Sequence, residues 1–284
     1  MFTIYNFLKN LLLSVKFIII TLLKLPSMKS RFPFQKERIN KHLNVIVNGD
    51  SLLCNINALI DEKGDSMVSN FFALSEYFVK LKPKYYVIAD PLFEDEINSN
   101  DSVIKLINVI KEVRWPLTFF LPQEYYKKGK FVELITSNQY IHVCLFCSTR
   151  SEGFQSLKFY SLEKNFSVPT MQNVLVAALY LAINLHFREI RVYGADFSWT
   201  KSLVVLEDNK FGIVDSHFYD SNKTEQNIFP LYTQFNNLHE YLYALARMFQ
   251  GCVEVKDYAK QKKVSVLNMN PYSFIDAFEK VKVR

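Results

Sequence analysis

The sequence predicts an α/β protein built on one doubly wound, largely parallel sheet. At least six apolar segments rich in β-branched and aromatic residues alternate with segments of helical periodicity, an order typical of parallel sheets. Several of these predicted strands end in a glycine or a polar residue, and ligands of such sheets bind beyond the carboxyl ends of the strands. With 284 residues, 49% of them hydrophobic, the chain is long enough for one large domain with appendages.

The first predicted strand covers residues 44–48 and contains three consecutive β-branched residues, as a strand buried on both faces does. It ends in the turn pair Asn48-Gly49, followed by the helix-capping residues Asp50-Ser51. A strand that ends in a glycine turn and a polar helix start is the usual phosphate-facing corner of a nucleotide-binding domain. No second or third glycine follows, so an ordinary strand-to-loop transition remains the alternative.

The later elements follow from periodicity. Helices are predicted over Val68–Leu81, Ser102–Val113, Gln123–Thr136, Gln172–His186 and Tyr232–Phe249, with a short one from Ser273. Strands are predicted over Tyr85–Ala89, Leu117–Leu121, Ile141–Phe146, Glu189–Tyr193 and Val264–Asn268. The polar segment 148–166 is expected to cover one end of the sheet. The polar segment at about 200–231 has weak periodicity and a length typical of a lid or binding loop.

The N-terminal segment has a different character from the rest of the chain. Residues 7–25 are almost entirely apolar, but Lys9, Lys16 and Lys24 interrupt them and lie on one side of a helix. A spanning helix needs roughly 20 largely uncharged residues, and Lys16 lies in the middle of this one. No small-residue cleavage site precedes Pro26, so a signal peptide is a poor match.

We therefore expect residues 1–26 to form a membrane-associating helix that contacts the membrane surface through residues 5–25. Its lysines and those of a basic linker, residues 27–42, would face anionic lipid. The protein would then be cytoplasmic and peripheral on the inner face of the membrane. A helix that packs on the protein itself, or in a dimer, is the alternative.

The net charge and the cysteines indicate which partners and which cellular compartment the protein is expected to have. The net charge of +6 comes from scattered lysines, which indicates mild attraction to anionic surfaces or nucleotides and no nucleic-acid partner. The four cysteines lack paired metal-ligand spacing. Cys144 and Cys147 form a CxxC within an apolar run, where buried free thiols are expected. A reducing cytoplasm is consistent with this pattern.

Two aspartates follow predicted buried strands and are candidates for chemistry. Asp90 and Asp196 could bind a ribose, orient a hydroxyl or hold a metal, and capping of a helix or loop is an equally good interpretation of each. The strand ends contain no Asp-x-Asp pair of the kind that metal-dependent glycosyltransferases use. We therefore expect no essential metal.

A histidine and two asparagines complete the candidates. His217 lies in a polar, loop-like segment beside Asp215 and could act as a general base near neutral pH, or could be a solvated loop residue. Asn70 and Asn173 lie at predicted helix starts, where each could bind a ligand or cap its helix. No Gly-x-Ser-x-Gly elbow is present, so a hydrolase triad is not expected.

Taken in order, several short motifs resemble one enzyme family. They are Asn48-Gly49-Asp50-Ser51, Asn70-Phe71-Phe72, the segment 82–91 ending in Asp90-Pro91, Gln172-Asn173, the segment 193–199, the segment 215–219 and Asn270-Pro271. Their order and spacing resemble the bacterial sialyltransferases that use CMP-sialic acid and have a single Rossmann-like, GT-A-like domain. They also resemble the MptE-like (6-hydroxymethylpterin diphosphokinase-like) group. The similarity covers about residues 43–281, so we expect the catalytic domain over 43–284.

The resemblance implies roles for individual residues. It implies a catalytic base in the lid, His217, and a second catalytic residue, Asp196 at the strand end. It also implies a donor-nucleotide site composed of Asn48, Gly49, Asp50, Ser51, Asn70, Asp90, Asn173, Gly194 and Ser198.

The function that the resemblance implies is sugar transfer with inversion, without a metal and with no cofactor other than the nucleotide-sugar donor. The donor would carry sialic acid or a related keto-sugar on CMP, and the acceptor would be a glycan, lipid-linked or otherwise, of O-antigen or capsule. One alternative is an Mg-ATP-dependent diphosphokinase with Asp90 and Asp196 as metal ligands. Another is a non-catalytic, membrane-associated scaffold. A homo-oligomer is left open.

Overall fold

The structure is a computed structural model, and it describes residues 2–24, 39–62, 64–126, 129–214, 228–231 and 234–281. The segment that contains His217 lies outside these residues.

One parallel sheet of eight strands forms the centre of the described chain. Its strands are β1 (Ile39–Ile46), β2 (Ser66–Ser69), β3 (Tyr85–Val87), β4 (Leu117–Pro122), β5 (Ile141–Phe146), β6 (Phe187–Tyr193), β10 (Ser265–Asn268) and β11 (Glu279–Lys280). Their spatial order is β11-β10-β6-β1-β2-β3-β4-β5, and each neighbouring pair is parallel. From β1 the chain builds outward to β5 and then returns to place β6 on the other side of β1. The switch point of the sheet is therefore between β1 and β6.

Helices cover both faces of the sheet, which confirms the predicted doubly wound α/β class. One face is covered by α2 (Ile56–Glu62), α3 (Tyr77–Leu81), α4 (Leu92–Asp95), α5 (Asp101–Lys111) and α7 (Lys130–Thr136). The other is covered by α8 (Gln155–Glu163), α9 (Val174–Asn184) and α10 (Leu238–Lys262). The helix α1 (Phe2–Lys24) and the short α6 (Gln123–Tyr126) lie at the strands' carboxyl ends.

The strand sequences explain why the sheet needs two covering layers. Successive residues of a strand point to opposite faces. Val45 of β1 and Phe120 of β4 belong to the core beneath α9, whereas their neighbours Ile46 and Phe119 belong to the core on the other face. All four side chains are fully buried. Runs that are apolar at every position are what a two-sided core requires.

The helix predicted over Val68–Leu81 is wrong in its first part. Ser66–Ser69 form strand β2, paired with β1 and β3, and only then do a short 3-10 helix, Asn70–Leu74, and α3 follow. The helically spaced residues behind the prediction, Phe71, Leu74, Phe78 and Leu81, belong to those two helices, while the strand is stabilised by neighbours remote in sequence. Sheet pairing therefore overrides the local pattern.

Other predicted boundaries also differ from the observed ones. The helix predicted over Gln123–Thr136 is two helices, α6 and α7. Gly129 is the extended N-cap of α7, and the carboxylate of Glu94 accepts hydrogen bonds from the backbone N–H groups of Lys130 (2.7 Å) and Phe131 (2.9 Å). The helix predicted over Tyr232–Phe249 begins at Leu238 and continues to Lys262. Within 148–166 the sequence missed α8.

Two segments near the C-terminal half were predicted less well. No helix begins at Ser273; its hydroxyl donates to the carbonyl of Ala195, and the short strand β11 follows. Of the predicted lid, the described part is an antiparallel sheet of β7 (Leu203–Val205), β8 (Phe211–Val214) and β9 (Ile228–Pro230). The remainder of the lid, residues 215–227, lies outside the described chain.

The cysteines have the character that the sequence predicts. Cys144, Cys147 and Cys252 are buried free thiols, and Cys54 is exposed. Burial raises the pKa of Cys144 to about 11 and that of Cys252 to about 12. At neutral pH these buried thiols are protonated, which makes them weak nucleophiles and weak metal ligands.

Helix α1 docks on the domain with its polar side. The ammonium of Lys16 pairs with Glu152 at 3.0 Å, and that of Lys24 donates to the hydroxyl of Thr149 at 2.7 Å. The expectation that these lysines face lipid is therefore wrong for Lys16 and Lys24, and the packing that we considered as the alternative occurs on this side of the helix. Its opposite side, which we call the outer face, exposes eleven apolar or aromatic residues: Ile4, Tyr5, Phe7, Leu8, Leu11, Leu12, Val15, Ile18, Ile19, Leu22 and Leu23. Phe7 lies at the edge of this face, where its ring also contacts that of Phe154 (5.5 Å between centroids). By length and composition, Ile4–Lys24 could cross a membrane.

Candidate functional site

A cavity of about 760 Å³ opens at the carboxyl ends of the central strands. Its wall includes residues that directly follow β1, β2, β3 and β6, the strands on both sides of the switch point. The start of α9 and the segment after β6 complete it. Its size lies within the range of about 300–1,000 Å³ found for small-molecule sites, and its position is where doubly wound sheets bind ligands.

Nine of the eleven residues singled out in the sequence line this cavity: Asn48, Gly49, Asp50, Asn70, Asp90, Asn173, Gly194, Asp196 and Ser198. Ser51 lies behind the wall and bonds to one of them. His217 lies outside the described residues, so its distance to the cavity is not defined.

The carboxylate of Asp196 joins three loops at the floor of the cavity. It accepts hydrogen bonds from the backbone N–H of Ser51 (3.0 Å), from the hydroxyl of Ser51 and from the side-chain amide of Asn270 (2.6 Å). The backbone carbonyl of Asp196 accepts a further hydrogen bond from the N–H of Phe274 (2.9 Å). These contacts give Asp196 a positioning role, because they connect the ends of β1, β6 and β10; its catalytic role stays a prediction.

The two glycines of the site are required by packing between strands β1 and β6. The N–H of Gly49 donates to the carbonyl of Gly194 at 2.9 Å. A methyl group on Gly49 would overlap that carbonyl and the carboxylate of Asp196, and one on Gly194 would overlap the carbonyl of Val47. Gly194 also has φ +69°, a left-handed conformation that favours glycine. Both glycines thus allow the two strand ends to approach closely at the switch point.

Two asparagines present hydrogen-bonding atoms whose orientation is fixed by the fold. Asn173 caps α9: its side-chain oxygen accepts from the N–H of Val176 (3.2 Å), which leaves its amide nitrogen as a donor. Asn48 donates from its amide nitrogen to the carbonyl of Ser69 (3.4 Å), which leaves its side-chain oxygen as an acceptor. Both remaining atoms are buried and have no hydrogen-bond partner among the described residues. Buried polar atoms of this kind require a partner, such as a bound ligand.

Asn70 lies in the wall with a left-handed backbone conformation, and a buried tyrosine holds its carbonyl in place. Its φ of +50° is left-handed, a conformation that asparagine adopts more readily than most residues. The hydroxyl of Tyr86 donates to the carbonyl of Asn70 and accepts from the N–H of Ala73 (3.2 Å). Burial raises the pKa of Tyr86, so this hydroxyl remains a donor. The side-chain oxygen of Asn70, like that of Asn48, is buried and has no hydrogen-bond partner among the described residues.

The described wall is acidic, with one positive element. It carries the carboxylates of Asp50, Asp90 and Asp196, and contains neither lysine nor arginine nor histidine within the described part of the chain. The N-terminus of α9 supplies the positive end of a helix dipole, with Asn173 and Val174 at the cavity surface. An anionic group would bind best at that end.

Sequence reasoning missed several wall residues. Tyr125, Met171 and Trp199 line the cavity although they follow no strand directly, and Asn270 supports Asp196 from 74 positions away. The Asn-Pro turn after the last predicted strand was the only sequence signal for Asn270. Within the described residues no group of three or more His, Cys, Asp or Glu side chains is placed to hold a metal ion.

The role of Asp196 can be tested by comparing it with the other strand-end aspartate. We expect Asp196→Ala to lower the free energy of unfolding by about 3 kcal/mol or more, because hydrogen bonds to charged groups contribute roughly 1.5–3 kcal/mol each. Asp90→Ala removes one hydrogen bond, from the N–H of Leu92 (2.9 Å), at an exposed site, and should cost about 1 kcal/mol. Urea unfolding followed by circular dichroism measures both; equal losses would contradict the positioning role.

Neither a protein-family model nor a curated protein sequence matches the chain. Among solved structures, it is similar to the MAf glycosyltransferase from Magnetospirillum magneticum AMB-1, with a TM-score of 0.50 and 11% identity over 87% of this chain; it spans 34% of that protein. It is also similar to the sialyltransferase CstII from Campylobacter jejuni in complex with the substrate analogue cytidine-5'-monophosphate (TM-score 0.42, 16% identity, 86% of each chain). An α-2,3-sialyltransferase from Campylobacter jejuni in apo form gives a TM-score of 0.42 and 13% identity over 88% of this chain and 83% of that one. The first of these likenesses shows a shared fold.

Proposed function

We propose that the protein is a glycosyltransferase that takes a sugar from a CMP-linked donor, sialic acid or a related keto-sugar, and transfers it to a glycan. The observation that carries this proposal is the cavity at the switch point, whose wall contains nine of the residues that the motif resemblance assigns to the donor and catalytic sites. Residues that are far apart in sequence meet in one place of suitable size.

The hydrogen-bonding atoms of the wall suit a nucleoside monophosphate. The acceptor oxygen of Asn48 is suited to a ribose hydroxyl or a base amino group, and the donor nitrogen of Asn173 to a carbonyl or phosphate oxygen. The N-terminus of α9 offers the phosphate a favourable dipole. Because the described wall contains three carboxylates, a single phosphate diester is repelled less than a diphosphate would be. This favours a CMP-linked donor over a UDP- or GDP-linked one.

The proposed reaction is a single displacement with inversion and without a metal. His217 would accept the proton of the acceptor hydroxyl as that oxygen bonds to the anomeric carbon. The bond between this carbon and the phosphate oxygen breaks, and the electron pair leaves with CMP. Backbone N–H groups at the start of α9 and wall hydroxyls such as that of Ser198 would stabilise the departing phosphate. His217 enters on the motif resemblance alone.

We propose a glycan of a bacterial surface polysaccharide, such as O-antigen or capsule, as the acceptor, carried on a lipid at the cytoplasmic face of the membrane. Helix α1 supports this location, because it joins the domain beside the cavity: Lys24 contacts Glu124 (4.0 Å), and the next residue, Tyr125, lines the cavity wall.

The donor class can be tested by titrating the purified protein with CMP, UDP, GDP and ATP, each with and without EDTA. We expect CMP to bind at least about tenfold more tightly than the others and equally well in EDTA, because the wall favours one phosphate. Isothermal titration calorimetry measures each affinity. Binding of ATP that requires Mg²⁺ would instead indicate a diphosphokinase, and binding of none of the four would indicate a scaffold.

Asn173→Asp tests the placement of the nucleotide without disturbing the fold. Aspartate caps a helix as well as asparagine does, so the capping bond to Val176 is retained while the cavity gains a negative acceptor in place of a donor. We expect at least about a tenfold loss of CMP affinity with an unchanged melting temperature. Asn100→Asp is the control for a new carboxylate at a helix cap outside the cavity wall, since the side-chain oxygen of Asn100 caps α5 (Ser102 N–H, 3.0 Å). This variant also loses the hydrogen bond from the Asn100 amide to Glu96 (2.8 Å), so its melting temperature should fall while its CMP affinity stays that of the wild type. Equal CMP affinities of the two variants would show that the nucleotide does not bind at this end of the cavity.

His217→Ala tests the proposed base. We expect CMP affinity to stay within about twofold and transfer from CMP-sialic acid to fall by about 10²–10⁴-fold, the usual contribution of a general base. Release of CMP in the presence of a panel of oligosaccharide acceptors measures the rate. Transfer at the original rate would exclude His217 as the base.

A further inference from the structure

Helix α1 has two different sides, and the side already in contact with protein carries its polar residues together with Phe17. The hydroxyl of Ser14 accepts a hydrogen bond from the N–H of Phe154 (3.0 Å), and Phe17 is buried against the domain. Gly153 approaches the helix so closely that a methyl group there would overlap Ser14. This side is anchored along its length and is not available to another partner.

The outer face is broad and apolar. Placed at 100° per residue, its eleven residues cover roughly 160° of the helix circumference, and Leu12 and Leu23 are 71% and 77% exposed. The helix of 23 residues is about 34 Å long. A second helix would cover only a narrow seam of such a face. Large apolar patches on a soluble surface mark protein or membrane contacts, and this width favours a continuous apolar medium.

Lysines border one edge of this face, as they do in helices that lie in a membrane interface. On the helical wheel Lys9 and Lys16 lie at the boundary between the docked side and the outer face, where their ammonium groups can remain in water. In sequence the helix is followed by five basic residues between positions 29 and 41. Such a basic segment is complementary to anionic headgroups.

We propose that α1 lies in the plane of a membrane interface, with its outer face among the acyl chains and its polar side against the domain. A spanning orientation conflicts with the docking contacts, because Lys16, in the middle of the helix, is paired with Glu152, which belongs to the domain. Spanning would draw that pair into the hydrocarbon layer or break it. This inference does not depend on the proposed reaction. If that reaction is correct, the cavity opens beside the membrane, where a lipid-linked acceptor is located.

The test is co-sedimentation of the full chain with vesicles of phosphatidylcholine, and with vesicles that also contain phosphatidylglycerol. We expect binding to both, with the binding to neutral vesicles retained at high salt. The triple variant Leu12→Gln, Ile19→Gln and Leu23→Gln should lower the partition coefficient at least about tenfold, because it places three amides among the acyl chains.

The matched control carries the same substitution at exposed apolar residues outside α1: Val79→Gln, Leu242→Gln and Val253→Gln. It should bind as the wild type does. Equal binding by the outer-face variant would overturn the proposal, as would binding only to anionic vesicles at low salt. If the wild type does not bind vesicles but forms a dimer, and the outer-face variant is a monomer, the outer face would instead be the contact with a second copy of the chain.

Orientation is tested by added tryptophans at Tyr5, Leu12 and Leu23 with brominated lipids, after subtraction of the signal from the native tryptophans. An in-plane helix places all three at a similar, shallow depth. A spanning helix places Leu12 much deeper than the other two, and this result would overturn the in-plane orientation. Nucleotide titration in solution needs no membrane, so failure here would leave the proposed reaction untouched.

Discussion

The carboxylate of Asp196 is the contact on which the geometry of the site depends. It holds the loop after β1 through Ser51 and the loop after β10 through Asn270, while its own backbone extends β6. A parallel sheet fixes its strands but not the loops beyond them, and these loops form the wall of the cavity. One acceptor shared by three donors therefore turns three strand ends into a single surface. These strand ends lie so close together that a side chain at position 49 or 194 would overlap its neighbours, and glycine occupies both positions.

Two asparagines of the cavity wall are held in fixed orientations and still have a hydrogen-bonding atom without a partner among the described residues, which indicates what a ligand must supply. Asn48 and Asn173, both in the cavity wall, each use one end of the amide to hold the fold, and the other end is buried without a partner among the described residues. Their orientation is fixed before any ligand arrives, so binding does not have to order them. The acidic wall then limits which anions can enter, and the N-terminus of α9 attracts them.

The sequence was sufficient for the fold class and for nine of the residues in the cavity wall because both depend on local patterns. Strand ends are visible as apolar runs that stop at polar residues, and in a parallel sheet all such ends lie on one edge. Contacts between remote segments were not visible. Strand β2 was missed because Ser66–Ser69 is a strand only between β1 and β3. The predicted end of α10, at Phe249, was too early because Gly251 follows, a residue that does not favour a helix. Inside the observed helix Gly251 is needed because a side chain there would overlap the carbonyl of Thr170.

The docking of α1 bears on how a shortened form of this protein would behave. Removing the apolar N-terminal segment is a common way to obtain a protein that needs no detergent. Here the removal would expose the ring of Phe154, which contacts Phe7, and would leave the carboxylate of Glu152 without the ammonium of Lys16. The truncated domain would lose the outer face but would expose an apolar ring beside an unpaired carboxylate. Helix α1 is thus a part of the folded domain as well as an appendage to it.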